Sequence, residues 1–427
     1  TTYADTKFVE YDYDENSNLK GWTDQNGTVI QNTHDQLNRL TSRVITKGTG
    51  VLGSTFENFG YDALGRMLTA KNDAYQVELD HDSVGNLLSD KQGYNVLGSE
   101  QWKTVSSSYT DAGSTASITY PSGFALTHTR DSIYRMAALF DASASVNVAT
   151  FTWQGPGRMA STSNQNGTGT TYAWDGFRRL ASIDHTLAGG GSLHKFEYVY
   201  DKVHNRRMEK NTFNATWMAT LPAAVQTFLG GRSGKGDVYA YDMAYRLIDA
   251  RFDVTNPAAE VASPGSQAYA KLLQYTLDGL GNRSQVQTWP PTPPTTVTYA
   301  NDVVNQYTTI GGTAQVHDSN GNLSDDGTQL YAYDFQNRLV QVTNKATSTV
   351  IANYRYDALG RRVEKAVVGG ATTRYILAGP EVVEEFDGSN VWQARYVFED
   401  GIDQPRSMDR ADIADVNGNS NTTEVLR

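Results

Sequence analysis

Short runs in which apolar and polar residues alternate recur along the chain, and each run leads into a cluster of turn-forming residues. Residues 196–200 read Phe-Glu-Tyr-Val-Tyr, and residues 351–356 read Ile-Ala-Asn-Tyr-Arg-Tyr. A period of two residues is the pattern of a strand with one buried face. The chain is therefore predicted to consist mainly of short antiparallel β-strands.

A heptad closes these runs and repeats throughout the chain. It reads Tyr-Asp-Ala-Leu-Gly-Arg-Met at 61–67 and returns almost unchanged at 356–362. Looser copies start at Tyr13, His34, His81, Tyr109, Arg130, Trp153, Trp174, Tyr200, Tyr241, Leu277, His317 and Tyr333, which makes 14 copies in all. Starts lie 16 to 28 residues apart, apart from three gaps near 40. Such self-similarity identifies a repeat protein.

The heptad has the chemistry of a β-hairpin turn. Its second slot is Asp in 12 of 14 copies, and its fifth is Gly in seven and Asn in two. An acidic residue followed three positions later by Gly or Asn is typical of a type I turn that ends in a left-handed residue. This turn joins two antiparallel strands. The predicted structural turn residues are Tyr61, Asp62, Gly65, Arg66, Tyr333, Asp334, Asn337, Arg338, Tyr356, Asp357, Gly360 and Arg361.

Arg occupies the sixth slot in eight copies. We expect these guanidinium groups to form a surface ladder with Asp residues of adjacent hairpins. Exposed ion pairs of this kind contribute about 0–1 kcal/mol each.

Counting hairpins predicts the architecture. Fourteen hairpins supply about 28 strands, and a flat sheet would be about 130 Å wide at about 4.8 Å per strand. Twisted open sheets of more than about 10 strands curl or split. The predicted fold is all-β, with repeated β-hairpins in a long antiparallel sheet that is rolled or spiralled into a hollow shell or barrel. The unit is a single hairpin, so we favour the roll over a propeller, whose blades need four strands each.

Composition narrows the function classes. The net charge of −11 and pI near 5.1 argue against nucleic acid or an anionic membrane as partner. No stretch of 18 apolar residues predicts a membrane span. The chain has no Cys, which excludes disulfides and thiolate metal sites. It starts without Met, and we expect it to be a piece of a longer protein.

No catalytic or cofactor-binding set is predicted, because turn chemistry accounts for the recurrent Asp residues. One weak calcium candidate lies near the C-terminus, at Asp415, Asn417, Asn419 and Glu424. Its oxygen ligands alternate, but Gly418 falls fourth from Asp415 rather than sixth as in a calcium loop. A solvated polar loop is therefore the favoured interpretation.

The recurring Tyr-Asp-x-x-Gly-Arg pattern, from about 13 to 362, resembles the YD-repeat, or Rhs-repeat, family. That family includes bacterial Rhs proteins, the C component of Tc toxin complexes and the YD shell of teneurins. The resemblance implies a spiral β-shell that often encloses a toxin or other cargo. Residues 375–405 resemble the entry to the Rhs-associated core, which in many members plugs the shell and carries a self-cleavage site. The later landmarks of that core do not occur in this sequence. The expected domains are a shell at 1–375 and a truncated core-like segment at 376–427.

The expected function is that of a non-enzymatic shell segment of a secreted or surface-exposed protein that encloses or presents a cargo segment. Its partner would be its own C-terminal segment or a cargo polypeptide. The alternative is an adhesive or carbohydrate-binding extracellular protein, whose partner would be a surface glycan or protein.

Overall fold

The computed structural model describes residues 8–96, 98–399, 404–411 and, for the backbone, 424–426. Strands account for 56% of the structure and helices for 5%. This content confirms the predicted all-β fold, because ordinary globular proteins contain only about 20–25% strand.

Sheet A is the larger of two antiparallel sheets in the described part of the chain, and each of its strands pairs with the next in sequence. Its 25 strands are β1 Glu10–Tyr13, β2 Leu19–Thr23, β3 Val29–His34, β4 Leu40–Thr46, β5 Phe56–Tyr61, β6 Met67–Asn72, β7 Tyr75–His81, β8 Leu87–Val96, β9 Ser99–Tyr109, β10 Thr115–Thr119, β11 Ala125–Arg130, β12 Met136–Asp141, β13 Val146–Gln154, β14 Arg158–Asn164, β15 Gly169–Trp174, β16 Leu180–Thr186, β17 Ser192–Tyr200, β18 Arg206–Phe213, β19 Gly236–Tyr241, β20 Leu247–Val254, β21 Lys271–Leu277, β22 Arg283–Trp289, β23 Thr295–Asn301, β24 Tyr307–Ile310 and β25 Thr313–Ala314.

Sheet B continues the same hairpin pattern towards the C-terminus. Its 11 described strands are β26 Val316–His317, β27 Leu323–Asp325, β28 Gln329–Tyr333, β29 Leu339–Asn344, β30 Val350–Tyr356, β31 Arg362–Val367, β32 Thr372–Ala378, β33 Glu381–Asp387, β34 Trp392–Phe398, β35 Pro405–Arg410 and β36 Glu424–Leu426. The expected domain boundary after residue 375 falls inside β32 and stays a prediction.

Three short helices lie in the longer connections. They are α1 Ala215–Met218, α2 Ala223–Gly230 and α3 Pro257–Ala262. Asn214 caps α1 by accepting a hydrogen bond from the Trp217 backbone N–H at 2.8 Å. Pro222 separates α1 from α2, because proline cannot donate the bond that would continue a helix.

The heptads occupy every second turn. In an antiparallel meander, alternate turns lie at the same edge of the sheet, so all heptads lie along one edge, here called the tip edge. The three helices lie in connections at the opposite edge. Sequence reasoning missed one copy of the heptad, at 301–307, where Asn301 replaces the aromatic residue that marks most copies. Its turn is the same, with a bond of 3.2 Å from the Asn305 N–H to the Asp302 carbonyl.

Sheet B lies across one face of sheet A, here called the inner face, and follows it in chain order. Contacts from sheet A to sheet B run from Asn26 with residue 319, through Asn72 with residue 356, to Gln92 with residue 377. Both residue numbers rise together, so the second sheet retraces the first as a further turn of a spiral. This is the rolled arrangement that the strand count predicted.

The main core lies between the two sheets. Leu126 and Leu139 of sheet A pack in one cluster with Ile376, Val383 and Val397 of sheet B. All five are at most 2% exposed. Burial of each such side chain stabilises the fold by about 1.5–3 kcal/mol. The core therefore holds one turn of the spiral against the next.

Candidate functional site

Each tip is built around its Asp carboxylate. In the Asp62 tip, Oδ1 accepts hydrogen bonds from the backbone N–H groups of Leu64 and Arg66, both at 2.9 Å, and Oδ2 accepts one from Arg66 Nε at 2.6 Å. Burial alone would raise the pKa of Asp62, but hydrogen bonds from Arg66 and Leu64 outweigh it, and the pKa lies below its usual range. The carboxylate is thus held ionised within its own turn.

The other two predicted tips repeat this geometry. Arg338 Nε bonds to Asp334 and Arg361 Nε to Asp357, each at 2.7 Å. Gly65 and Gly360 have φ of +84° and +85°. In all, 13 of the 14 fifth slots have positive φ, namely Ser17, Asn38, Gly65, Gly85, Gly113, Tyr134, Arg178, His204, Tyr245, Gly281, Gly321, Asn337 and Gly360.

The weak copy that starts at Trp153 is the exception. Its left-handed residue is Gly155, with φ of +63°, rather than the expected Gly157. Gln154 pairs directly with Arg158, so only three residues form the loop. Pro156, whose ring fixes φ near −65°, stands at its centre. The turn is therefore shorter than in the other copies.

The arginines do not form the ladder that the sequence suggested. Each pairs with the Asp of its own tip and contacts the next tip through a backbone carbonyl instead. Arg39 Nη1 donates to the Asp62 carbonyl at 2.7 Å, and Arg179 Nη1 to the Asp201 carbonyl at 2.9 Å. The expectation was wrong because the type I turn places the sixth-slot side chain within reach of its own carboxylate.

The aromatic first slot ties each hairpin to the one before it. The Tyr61 hydroxyl donates to the Leu40 carbonyl at 2.9 Å, and the Tyr356 hydroxyl to the Leu339 carbonyl at 3.0 Å. Leu40 and Leu339 are the seventh-slot residues of the preceding heptads. The Arg39 guanidinium also lies 5.0 Å from the Tyr61 ring centroid. The predicted turn residues thus form a repeated clasp along the tip edge.

A second group of charged residues lies between the sheets, where sequence reasoning placed none. Arg361 Nη1 lies 2.5 Å from Asp90 Oδ2 across the two sheets, in addition to its bond to Asp357. The side chains of Arg361, Asp90 and Asp357 are 13%, 3% and 1% exposed. Burial raises the pKa of Asp90, and hydrogen bonds from Arg361 only partly offset it. Asp90 lies in a strand that reads as ordinary alternation, so no local signal reveals this partner 271 residues away.

Glu384 is a similar case. It is fully buried in sheet B and accepts hydrogen bonds from the backbone N–H of Ser122, at 3.2 Å, and from the Ser122 hydroxyl. Burial raises the pKa of Glu384 above its ordinary value of 4.5, although the hydrogen bonds from Ser122 lower it. The folded protein therefore favours the protonated carboxyl more than the unfolded chain does.

Glu384→Gln should remove a pH-dependent loss of stability. Because the folded pKa is raised, the stabilisation from Glu384 is fully present below the unfolded pKa and is lost as pH rises through the folded pKa. The unfolding free energy of the variant, relative to wild type, should therefore increase as pH is raised from 4 to 8. Urea unfolding across this range measures it. Glu78→Gln is the control, since Glu78 is 38% exposed and pairs with Lys91. The assignment fails if the Glu384 difference is flat.

The inner face is uncovered beyond β15. Strand register places Phe151, which packs in the main core, on the same face as His194 and Phe213, and alternation along β17 adds Phe196 and Tyr198. These four residues of β17 and β18 are only half-buried. His194 stacks on Phe213 with ring centroids 4.0 Å apart. The uncovered inner face, β16–β24, is therefore rich in aromatic side chains.

The outer face of the same strands is charged. Glu197, which alternates with Phe196 and Tyr198, pairs with Lys195 at 3.3 Å and with Lys210 at 3.4 Å. These three side chains are 36–38% exposed. The wall thus has a solvated charged side and an aromatic side.

Among the described residues, no group of three or more His, Cys, Asp or Glu side chains could hold a metal ion. The weak calcium candidate lies outside the described part of the chain at Asp415, Asn417 and Asn419, and only the backbone of Glu424 is described. None of the helices in the described ranges is long and apolar enough to cross a membrane.

Comparison with known proteins supports this picture. The family model for the Teneurin YD-shell matches residues 234–385. The chain is 34% identical over 131 residues to the tRNA nuclease WapA of Bacillus subtilis (strain 168), which is 30% of this chain and 6% of that protein. The tRNA3(Ser)-specific nuclease WapA of Bacillus spizizenii matches to the same extent.

Solved Tc toxin structures share the fold. The TcdB2-TccC3-Cdc42 structure superposes with a TM-score of 0.70 at 13% identity, and the Tc holotoxin pore of Photorhabdus luminescens with 0.69 at 14%. Each match covers 93% of this chain and 24% of the solved chain, so this chain spans about a quarter of those relatives. At such identity the likeness shows the fold alone.

Fold and tips together define a β-shell built of hairpin repeats. Within that class the chain is a YD-repeat, or Rhs-repeat, protein, as the heptads predicted.

Proposed function

We propose that this chain is a non-enzymatic wall segment of a secreted or surface-exposed YD-repeat protein, and that its inner face encloses a polypeptide segment. The observation that carries the proposal is the uncovered inner face. Over β5–β14 the same face is covered by sheet B, and Tyr75 and Tyr94 are only 4% and 3% exposed. Over β16–β24 the equivalent aromatic residues have no such cover. Half-exposed aromatic side chains on a concave wall suit a chain that supplies apolar groups.

The segment from residue 376 supports enclosure. Phe386 and Val397 pack in the core against sheet A, and Tyr396 accepts a hydrogen bond at its carbonyl from Tyr120 at 3.1 Å. The described part of 376–427 therefore lies on the inner face, where a plug would lie. We retain 1–375 as the shell and 376–427 as the core-like segment on this basis.

The relatives bear on the proposal in two ways. Several solved neighbours are Tc toxin structures, which makes a shell role the natural assignment. The Bacillus relatives are named as tRNA nucleases, but this chain matches only 6% of their length. Their named activity therefore gives no reason to place a nuclease site in this wall.

Accessibility of the two faces tests enclosure. The chain has no native Cys, so single cysteines report without background. Tyr198→Cys places a thiol on the inner face, and Val199→Cys, one residue on, places one on the outer face. We expect a small maleimide to label both positions, and a maleimide on a polyethylene glycol of about 5 kDa to label position 199 at least tenfold faster than 198.

Equal labelling of both positions by the large reagent would contradict enclosure. In that case, binding of the wild-type chain to a glycan array would favour the adhesive alternative. Circular dichroism of both variants must show unchanged strand content, so that slow labelling reports the wall rather than misfolding.

A further inference from the structure

The tip edge of sheet A carries a row of exposed apolar side chains. We define this tip row by Leu64, Val84, Ile133, Phe177, Met243 and Leu280, which occupy the third or fourth slot of their heptads. They are 73%, 81%, 57%, 75%, 98% and 80% exposed. Scattered apolar residues on a surface need no explanation, but a regular row at one slot does.

The same slots are buried where the edge continues into sheet B. Phe335 is 4% exposed and packs against Ile30 and Ile45, while Ala358 is 8% exposed and packs with Ala70 and Val77. The tip edge is therefore an interface wherever another layer of hairpins lies against it. The tip row is the uncovered continuation of that interface.

Two hairpin ends already meet inside the chain. Ser319 donates its backbone N–H to Asn26 Oδ1 at 2.8 Å, and Asn26 donates its own to Asn320 Oδ1 at 3.2 Å. Asn26 Nδ2 bonds to Asp318 at 3.2 Å and Asn320 Nδ2 to Asp24 at 2.8 Å. This near-reciprocal contact shows that turns of this sequence can join end to end without a third component.

We propose that the tip row is the interface with a second copy of this chain, joined edge to edge about a twofold axis. Neighbouring tips are two strands, about 10 Å, apart, which leaves room for the tips of another copy between them. Each Asp is neutralised by the Arg of its own tip, so the row does not repel its copy despite the chain's net charge of −11. A row of this length suits another long sheet edge, and twofold contacts are the commonest way to bury a self-complementary surface.

Sedimentation velocity across a concentration series tests the proposal. The wild-type chain should show a monomer–dimer equilibrium. The variant Leu64→Ser/Val84→Thr/Leu280→Ser should dimerise at least tenfold more weakly, because it removes apolar surface from three tips. Its thermal unfolding should match wild type, since exposed substitutions change stability by only about 0.5 kcal/mol.

The control is Val368→Ser/Val391→Ser, which alters two residues at the opposite edge that are 59% and 56% exposed. It should dimerise like wild type. A wild-type chain that stays monomeric at its highest soluble concentration overturns the proposal, as does equal weakening by the control. A continuous series of species larger than dimers would contradict the twofold arrangement. None of these outcomes depends on whether the inner face encloses a polypeptide.

Discussion

Replacing Arg361 with alanine should destabilise the protein by about 3–5 kcal/mol, because it leaves two carboxylates buried without their cation. Asp90 and Asp357 are 3% and 1% exposed and both bond to this guanidinium. Denaturant unfolding, followed by the shift of the midpoint at constant slope, measures the loss. The change should also loosen the contact between the sheets, because Arg361 joins sheet B to sheet A.

Arg135→Ala is the matched control for this substitution. Arg135 occupies the same slot of its heptad and pairs with Asp131, but these side chains are 24% and 26% exposed and face solvent. An exposed pair of this kind is worth about 0–1 kcal/mol. Similar losses at positions 135 and 361 would show that the buried contact with Asp90 contributes nothing beyond the clasp of the tip itself.

The contrast between these arginines marks what the sequence can reveal. Asp62 and Arg66 lie four residues apart, and turn chemistry alone brings them together. Local rules therefore predicted the hairpins, their number within one copy and the all-β roll. The copy at Asn301 escaped notice because its first slot lacks the aromatic signal, although Asp302 and Asn305 carry the turn chemistry.

Contacts between the sheets could not be predicted in the same way. Glu384 meets Ser122 across 262 residues, and Asp90 meets Arg361 across 271. Nothing in Val382-Val383-Glu384-Glu385-Phe386 distinguishes a buried glutamate from a solvated one, because alternation sets only which side chains share a face. How far the spiral advances per turn decides which carboxylate meets which partner, and that depends on the twist and curvature of all the strands together.

The left-handed turn residues give the second large expected effect. Gly65→Val should cost upwards of about 1 kcal/mol, because a β-branched residue is forced into the left-handed region. Nothing lies within 4 Å of a Cβ built at Gly65, so the loss comes from the backbone rather than from a clash. The measurement is the shift of the urea midpoint.

Gly279→Val separates backbone strain from the general effect of valine at a tip. Gly279 stands at the third slot of its heptad, where φ is not positive, and a Cβ there also meets nothing within 4 Å. The substitution should change stability by about 0.5 kcal/mol or less, as at other exposed sites. Tyr245 bears on the same point, because its φ of +63° shows that the fold imposes the left-handed conformation even on a large side chain. Tyr245→Gly should therefore be neutral or stabilising, since it relieves a strain of about 1–2 kcal/mol at the expense of a more flexible unfolded chain. If Gly65→Val unfolds at the wild-type midpoint, or if Gly279→Val loses as much, the clasp at the tip does not depend on a left-handed fifth residue.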